Sequence, residues 1–389
     1  MQIGALVVVL SCLLAGAAVF LRPADDDADE VVLVPGVWSP LPPAGLPGRS
    51  EAPAVWTRSA MIVWGGNGDA GPLGDGASYD LPTATWKPLP PSPLVPRRGH
   101  SAVWTGTRML VYGGLDAGGE GCPAGCVQGD AAAYDPVADS WTPVAPAPIE
   151  GRSGHTAVWV QNRMVVWGGA ASDGRALGDG ASYDPATDTW AALPPSPLEP
   201  RVGHRTVATT HRMLVWGGSS EAEEGGRYFA DGAVYSPVTN TWAGMAAAPP
   251  GLAPRDNLAA VWTGEELLVW GGYGRSEDCT PCFFGDGAAY DLEADSWTTI
   301  APSPLSGRGG HRAVWTGRDM LVWGGFDHTE LGDGALYNPT TDSWDRLVPG
   351  PLPRQHPVML WTGQQMLVWG GQGAMATRDD GAVLTLTYA

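Results

Sequence analysis

The hydrophobic and polar positions of this chain follow one pattern that returns about every fifty residues. Within residues 308–344, two short runs rich in Val and Trp, Ala313–Thr316 and Met320–Trp323, flank a Thr-Gly turn and end at a Gly-Gly pair. After a polar loop, Gly334–Tyr337 forms a third run, and an Asn-Pro turn leads to a fourth around Trp344. Short apolar runs separated by turn residues indicate β-strands and hairpins. One unit is therefore predicted to be four antiparallel strands.

Alignment of the units on the Gly-Gly pair that follows the second run shows fixed columns. An Arg lies 16 residues before the first Gly in all seven units, at Arg49, Arg97, Arg152, Arg201, Arg255, Arg308 and Arg354. An Asp opens the predicted third strand in all seven, at Asp75, Asp130, Asp179, Asp231, Asp286, Asp333 and Asp380. A Trp follows that Asp by eleven residues in six units, at Trp86, Trp141, Trp190, Trp242, Trp297 and Trp344. The seventh unit ends before this Trp, and Trp38 in the fragment 37–42 is predicted to supply it.

The Arg-x-x-His lead, the Gly-Gly pair, the Tyr-Asp-Pro turn and the Trp together resemble the kelch repeat, and the resemblance extends from about residue 37 to the end. The predicted fold class is all-β, a seven-bladed kelch-type β-propeller similar to the propeller of galactose oxidase, with its last blade closed by an N-terminal strand. The resemblance implies that the first strand of each blade lies at the central channel. It also implies that the loops between strands two and three share one mouth with the approach to strand one.

Composition agrees with a strand-rich repeat fold. The 389 residues include 55 Gly, 36 Pro and 19 Trp but only 5 Phe, a mixture that disfavours long helices. The formal net charge of −19 disfavours nucleic acid and anionic membrane surfaces as partners. No cofactor is predicted.

The N-terminus predicts export. Gly4–Leu21 is an uninterrupted run of apolar and small residues, long enough for a signal peptide or membrane anchor over residues 1–22. An acidic linker is predicted over 23–36 and the propeller over 37–389. Cleavage, retention and lipidation at Cys12 all stay open, because the run lacks a basic lead-in. We expect a secreted protein, or one anchored at the outer face of the cytoplasmic membrane that meets the membrane only through this segment.

The arginine column allows two interpretations. In some kelch domains, arginines around the mouth hold acidic peptides or carboxylates, and a guanidinium fork suits such a ligand. Alternatively, the seven arginines and seven aspartates satisfy one another as a structural girdle between blades. Repetition in every unit favours the girdle, since a ligand rarely needs sevenfold symmetry.

Histidines and cysteines are the candidate metal ligands. His100, His155, His204 and His311 follow the Arg by three residues, but equal positions on separate blades do not converge, so a structural role is favoured and no metal site is predicted. The cysteines form two local pairs, Cys122 with Cys126 and Cys279 with Cys282. Two disulfides that brace long loops are the favoured interpretation in an exported protein. A four-cysteine zinc site and a redox CxxC are the alternatives.

Repeated tryptophans are predicted to fill the core rather than to stack on sugars, because repeat proteins vary where they bind. The variable loops are Asn67–Gly74, Leu115–Gly129, Ala170–Gly178, Ser219–Ala230, Tyr273–Gly285, Phe326–Gly332 and Gln372–Arg378. The candidate ligand-binding residues in these loops are Arg227, Tyr228, Tyr273, Arg275, Phe326 and His328.

Two functions are consistent with the sequence. The first is an extracytoplasmic binding module that presents its loops to a protein or a glycan. The second is a carbohydrate-active enzyme, because kelch propellers include a sialic acid mutarotase and copper-dependent galactose oxidase. The sequence shows no Tyr-His neighbours and no unpaired cysteine suited to the oxidase copper site, whereas mutarotase-like chemistry needs only an Arg and a carboxylate in the channel. No catalytic residue is assigned.

Overall fold

A computed structural model describes residues 33–34, 36–119, 122, 125–220, 226–275 and 279–387. Throughout these residues the regular structure is β-strand, and no helix long and apolar enough to cross a membrane is present among them. Leu33–Ala389 forms one compact unit. The predicted signal or anchor segment, residues 1–22, and most of the predicted linker, residues 23–36, lie outside the described residues.

The strands form seven four-stranded antiparallel sheets, the blades, and the first strand of each blade contacts the first strands of its two neighbours in a closed ring. From the channel outward the strands are Ala54–Trp56, Ala60–Trp64, Gly76–Asp80 and Thr85–Pro88 in blade 1, and Ser101–Trp104, Met109–Tyr112, Ala131–Asp135 and Ser140–Pro143 in blade 2. They are Thr156–Val160, Arg163–Trp167, Gly180–Asp184 and Thr189–Ala192 in blade 3, and Arg205–Ala208, Met213–Trp216, Gly232–Ser236 and Thr241–Gly244 in blade 4. They are Ala259–Trp262, Glu266–Trp270, Gly287–Asp291 and Ser296–Thr299 in blade 5, and Arg312–Trp315, Met320–Trp323, Gly334–Asn338 and Ser343–Leu347 in blade 6. They are Val358–Trp361, Gln365–Trp369, Gly381–Leu386 and Gly36–Pro40 in blade 7. Two short ribbons pair Asn67–Gly68 with Gly71–Pro72 and Tyr273–Gly274 with Cys282–Phe283.

The second strand of each blade is its most buried element. It reads as a continuous apolar run, as in Met320–Trp323, because neighbouring blades cover both of its faces. Its final aromatic residue is at most 1% exposed in every blade. These second strands therefore form the centre of the core.

Tryptophans of the outer strands join neighbouring blades. Each packs against the buried aromatic of the blade before it, with ring centroids 5.1 to 5.9 Å apart: Trp141 on Trp64, Trp190 on Tyr112, Trp242 on Trp167, Trp297 on Trp216, Trp344 on Trp270, Trp38 on Trp323 and Trp86 on Trp369. This geometry supports the core interpretation of the tryptophans.

The N-terminal strand completes blade 7. Gly36–Pro40 pairs antiparallel with Gly381–Leu386, and Trp38 also donates a 3.3 Å hydrogen bond from Nε1 to the Val348 carbonyl. Leu33–Val34 adds a parallel strand outside blade 6. The predicted all-β, seven-bladed fold with an N-terminal closing strand is therefore confirmed, although the strand covers 36–40 rather than 37–42.

Candidate functional site at the channel mouth

The seven column arginines are buried inside the fold, each at most 1% exposed. Arg152 shows the arrangement. Its Nε donates to the Glu150 carbonyl at 3.1 Å, its Nη1 to the Gly168 carbonyl at 3.0 Å and its Nη2 to Asp179 Oδ1 at 2.9 Å. The other six repeat the bonds to the first Gly and to the Asp of their own unit. Each guanidinium thus ties strand one to strands two and three of one blade.

The backbone of the same arginines connects the blades. The Arg152 carbonyl accepts from Gly114 N–H of blade 2 at 2.8 Å, and Arg49 and Gly371 make the equivalent bond between blades 1 and 7. The ion pairs lie within one repeat, so the expectation that they link blades is corrected. Their burial favours a structural role and argues against ligand binding by the seven: Arg49, Arg97, Arg152, Arg201, Arg255, Arg308 and Arg354.

The four column histidines are also buried structural groups. His100 Nε2 lies 3.1 Å from the Trp64 carbonyl, and His155 Nε2 lies 2.8 Å from Ser101 Oγ. Burial lowers the pKa of both imidazoles to about 3, and the charge of the neighbouring column arginine, Arg97 or Arg152, adds to the effect. Both histidines are therefore neutral near pH 7. Because they surround the channel, the seven column arginines are also called the ring arginines. No cluster of three or more His, Cys, Asp or Glu suited to a metal ion occurs in the described part of the chain.

Both predicted cysteine pairs lie at disulfide distance. The Cα atoms are 5.3 Å apart for Cys122 and Cys126 and 5.2 Å apart for Cys279 and Cys282, within the range that a disulfide spans. The second pair closes the loop beside the ribbon Tyr273–Gly274 and Cys282–Phe283. This disulfide therefore braces a loop of blade 5 at the mouth.

Aromatic side chains from three variable loops meet beside this disulfide. Phe283 has ring contacts with Tyr273 at 6.2 Å, Phe326 at 5.9 Å and His328 at 5.1 Å, and Tyr228 contacts Tyr273 at 6.3 Å. These five residues, from blades 4, 5 and 6, are called the aromatic wall. Four of them were predicted binding residues, and Phe283 is the ring that joins them.

Four members of the aromatic wall, Tyr228, Tyr273, Phe283 and Phe326, border a cavity of about 410 Å³, called the loop pocket. Arg275 also lines it, together with polar groups of the approach to strand one, Asp256, Asn257, Gln355 and His356. In contrast, Arg227 turns to Glu199, at 2.9 Å, and over the Phe229 ring. The central channel, a cavity of about 600 Å³, shares Asn257, Tyr273 and His356 with the loop pocket. The two cavities are therefore adjoining parts of one depression.

Comparison with known proteins agrees with this architecture. A family model described as KLHDC2/KLHL20/DRC7 Kelch-repeats domain matches residues 23–197 and again 154–371. The chain belongs to the kelch-repeat family. Kelch propellers generally bind proteins, which indicates a protein-interaction module. No curated protein matches the chain.

Buried charges set the electrostatics of this kelch propeller at the junction of the two cavities. Asp256 is 5% exposed and accepts a 3.0 Å hydrogen bond from Ser219 Oγ. Burial raises the pKa of Asp256 to about 7, against the opposing effects of its hydrogen bonds and the Arg205 charge. Burial and the charges of Arg312 and Arg205 lower the pKa of His356 to about 3. The electrostatic potential is therefore positive on the side of the junction where Arg205 and Arg312 lie.

The predicted site residues did not include Arg205, Arg312 or Asp256. The two arginines occupy the column four residues after the ring arginine, the first position of strand one. The other five kelch units carry Pro53, Ser101, Thr156, Ala259 and Val358 there. Both arginines are found when the aligned repeats are searched for a residue that differs from the small or apolar residues of its column, rather than for residues that recur.

Proposed function

We propose that this chain is an extracytoplasmic interaction module that binds a partner protein in the loop pocket. The observation that carries the proposal is the aromatic wall. Its residues come from non-repeating loops of three blades, yet four of the five meet around one cavity. The residues that repeat in every blade have structural roles. The aromatic wall does not repeat, so a structural role does not explain why its residues meet.

The pocket has the composition of a binding hot spot. Tyr and other aromatic side chains supply large contact area at low entropic cost, and they cluster where binding energy concentrates. Asn257, Arg275 and Gln355 add polar groups that can fix the orientation of a bound segment. A cavity of about 410 Å³ accommodates a few anchoring side chains rather than a whole surface. We therefore infer that a projecting segment of the partner enters the pocket.

The exported location is supported by the apolar run Gly4–Leu21 and by the two cysteine pairs at disulfide distance. Fractionation of the producing cells, with N-terminal sequencing of the purified chain, tests it. Recovery of a full-length chain with reduced cysteines from the cytoplasm would contradict the proposal.

The binding test uses neighbouring residues as a matched pair. Tyr228 belongs to the aromatic wall, whereas Arg227 pairs outward with Glu199. Immobilised protein is incubated with a cell-surface extract, and retained proteins are quantified. We expect Tyr228→Ala and Phe283→Ala to reduce retention of a partner at least tenfold, with Arg227→Ala unchanged. Equal retention by all three variants would contradict binding at the wall, and retention of labelled glycans on an array would indicate a glycan ligand instead.

One observation favours a second candidate, mutarotase-like sugar chemistry. Asp256, with a pKa raised to about 7, lines the loop pocket and Arg205 lines the adjoining channel, and an acid–base carboxyl works best near that pKa. Exchange between sugar anomers, followed by NMR with reducing sugars including an acidic one, tests the idea. Acceleration that Asp256→Asn abolishes would support this candidate, and an uncatalysed rate would eliminate it for the sugars tested.

A further inference from the structure

The side chain of Asp256 is a buried acid that the repeat architecture does not require. Asp256 follows the column arginine of blade 5, and the other six units carry Ser50, Arg98, Ser153, Val202, Gly309 and Gln355 there. In every unit this position pairs through its backbone with the residue after the Gly-Gly pair, and in blade 5 Asp256 N–H donates to the Tyr273 carbonyl at 2.9 Å. The side chain takes no part in that pairing, so the fold does not explain a carboxyl group here.

One oxygen of this carboxyl group has no partner. Asp256 is 5% exposed, and its Oδ2 accepts a 3.0 Å hydrogen bond from Ser219 Oγ. Its Oδ1 is buried and has no hydrogen-bond partner among the described residues. A buried carboxylate oxygen without a donor costs stability. Asp256 is also the only acidic residue among the described residues that line the loop pocket, so a ligand in that pocket can supply the missing donor.

The rings that line the loop pocket are steeply inclined to one another. The angle between ring planes is 74° for Tyr228 and Tyr273, 63° for Tyr273 and Phe283, and 71° for Phe283 and Phe326. No neighbouring pair is therefore stacked face to face. Rings arranged in this way resemble the sides of a box, and the negative face of an aromatic ring attracts a cation.

The protein does not place a cation of its own on these rings. Phe284, the residue after Phe283, has the Arg255 guanidinium 4.3 Å over its ring. In contrast, none of the arginine–ring contacts in the described part of the chain involves Tyr273, Phe283 or Phe326. The loop of blade 5 thus gives one aromatic residue to a column arginine and another to the pocket.

We propose that the loop pocket binds the side chain of a lysine of the partner, with its ammonium donating to Asp256 Oδ1 and its apolar stem lying against the aromatic wall. This anchor rests on the proposed function of the pocket and names the chemistry that the pocket recognises. A guanidinium fork needs both oxygens of a carboxylate, and Ser219 already occupies one, so an ammonium fits better. The formal net charge of −19 attracts a basic partner at long range.

Two arginines lie near the pocket without neutralising this carboxyl group. Arg275 lines the pocket but is exposed, so solvent and salt screen its charge. Arg205 lines the adjoining channel instead. Burial raises the pKa of Asp256 to about 7, and the Arg205 charge opposes that shift. The carboxyl group is therefore mainly ionised at pH 8, where binding is to be measured.

The test compares Nα-acetyl-lysine methylamide with Nα-acetyl-norleucine methylamide, which keeps the four-carbon stem and lacks the ammonium. The arginine methylamide is the third ligand. Binding of each to the full chain at pH 8 is measured by ligand-detected NMR. We expect the lysine ligand to bind at least fivefold more tightly than the norleucine ligand and more tightly than the arginine ligand. Equal binding of the lysine and norleucine ligands, or tighter binding of the arginine ligand, would overturn the proposal.

Two variants locate the binding. Asp256→Asn keeps the side-chain volume and removes the charge, and Phe283→Leu keeps an apolar group and removes the aromatic face. Each should weaken binding of the lysine ligand at least threefold, and Asp256→Asn should leave binding of the norleucine ligand unchanged. Asp173→Asn, which removes an exposed carboxylate from a loop of blade 3, is the control. An equal loss of lysine binding in this control would assign the attraction to overall charge and overturn the site.

The same variants separate this anchor from the proposed function. Retention of a partner protein should fall at least threefold with Asp256→Asn. Retention that depends on Phe283 but is unchanged by Asp256→Asn would overturn the ammonium anchor and leave protein binding in the loop pocket intact. If Phe283→Leu melts several degrees lower than the parent chain, Asp256→Asn alone decides the test.

Discussion

Substitution of a single ring arginine tests whether the ring is structural. Arg152→Met leaves the carbonyl of Gly168 and one oxygen of Asp179 without their buried donor. Removal of one partner from a buried ion pair costs about 3–5 kcal/mol. The Asp179 side chain is 55% exposed and regains water, so the lower part of that range applies, about 3 kcal/mol. Arg163→Met is the control, because Arg163 itself is 41% exposed in its pair with Asp184, and exposed pairs contribute at most about 1 kcal/mol.

Thermal unfolding followed by circular dichroism measures the difference. For a propeller of this length, 1 kcal/mol corresponds to about 1.4 °C, so we expect Arg152→Met to lower the melting temperature by about 4 °C and Arg163→Met by about 1 °C. A double-mutant cycle with Asp179→Asn should give a coupling energy above about 1 kcal/mol. Equal melting temperatures for the two arginine variants would refute the structural interpretation and return the ring to the candidate ligand-binding residues.

Three other perturbations have outcomes that the structure specifies. Deletion of residues 1–45 removes Gly36–Pro40 from blade 7 and exposes its edge, so we expect a melting temperature at least 10 °C lower and concentration-dependent aggregation; an unchanged value would contradict the closure. The raised pKa of Asp256, about 7 against an ordinary 3.8, means that its contribution to stability is present below pH 3.8 and is lost as pH rises through 7, a difference of roughly 4 kcal/mol. Asp256→Asn should therefore be more stable than the parent chain at pH 8 and nearly equal to it at pH 4 in urea titrations, and a difference independent of pH would disprove the assignment. The pKa of His100, lowered from 6.5 to about 3, has the opposite consequence: its contribution is present above pH 6.5 and falls as pH drops toward 3, by up to about 1.4 kcal/mol per pH unit. His100→Gln should flatten the acid limb of the stability curve, and an unaltered slope would count against a neutral buried imidazole.

The fold could be predicted from the sequence because its determinants repeat. The column of Trp86, Trp141 and their equivalents marks outer strands, and the missing seventh member pointed directly to Trp38. One contact type, an outer-strand Trp against a buried aromatic, accounts for all seven positions. Periodicity can be recognised in the sequence alone, so the propeller architecture could be predicted from it.

The site was only partly predictable. Tyr228, Tyr273 and Phe326 were found because their loops vary, but their meeting at Phe283 depends on the angles between blades, which the sequence does not specify. Whether Arg152 and its equivalents face a ligand or the core depends on burial, a tertiary property. Arg205 and Arg312 were missed because comparison of repeats emphasises what recurs.

The pairing of Gly36–Pro40 with Gly381–Leu386 also sets an order of events during folding. The outer strand of blade 7 is among the first parts of the propeller to be synthesised, yet its partner strand is the last. Blades 1 to 6 can assemble their own four strands as the chain emerges, whereas the ring cannot close until the inner strands of blade 7 have been made. A prematurely ended chain consequently leaves two unpaired edges, one at each end of the arc, and truncated products of this protein are the species that quality-control proteases should recognise first.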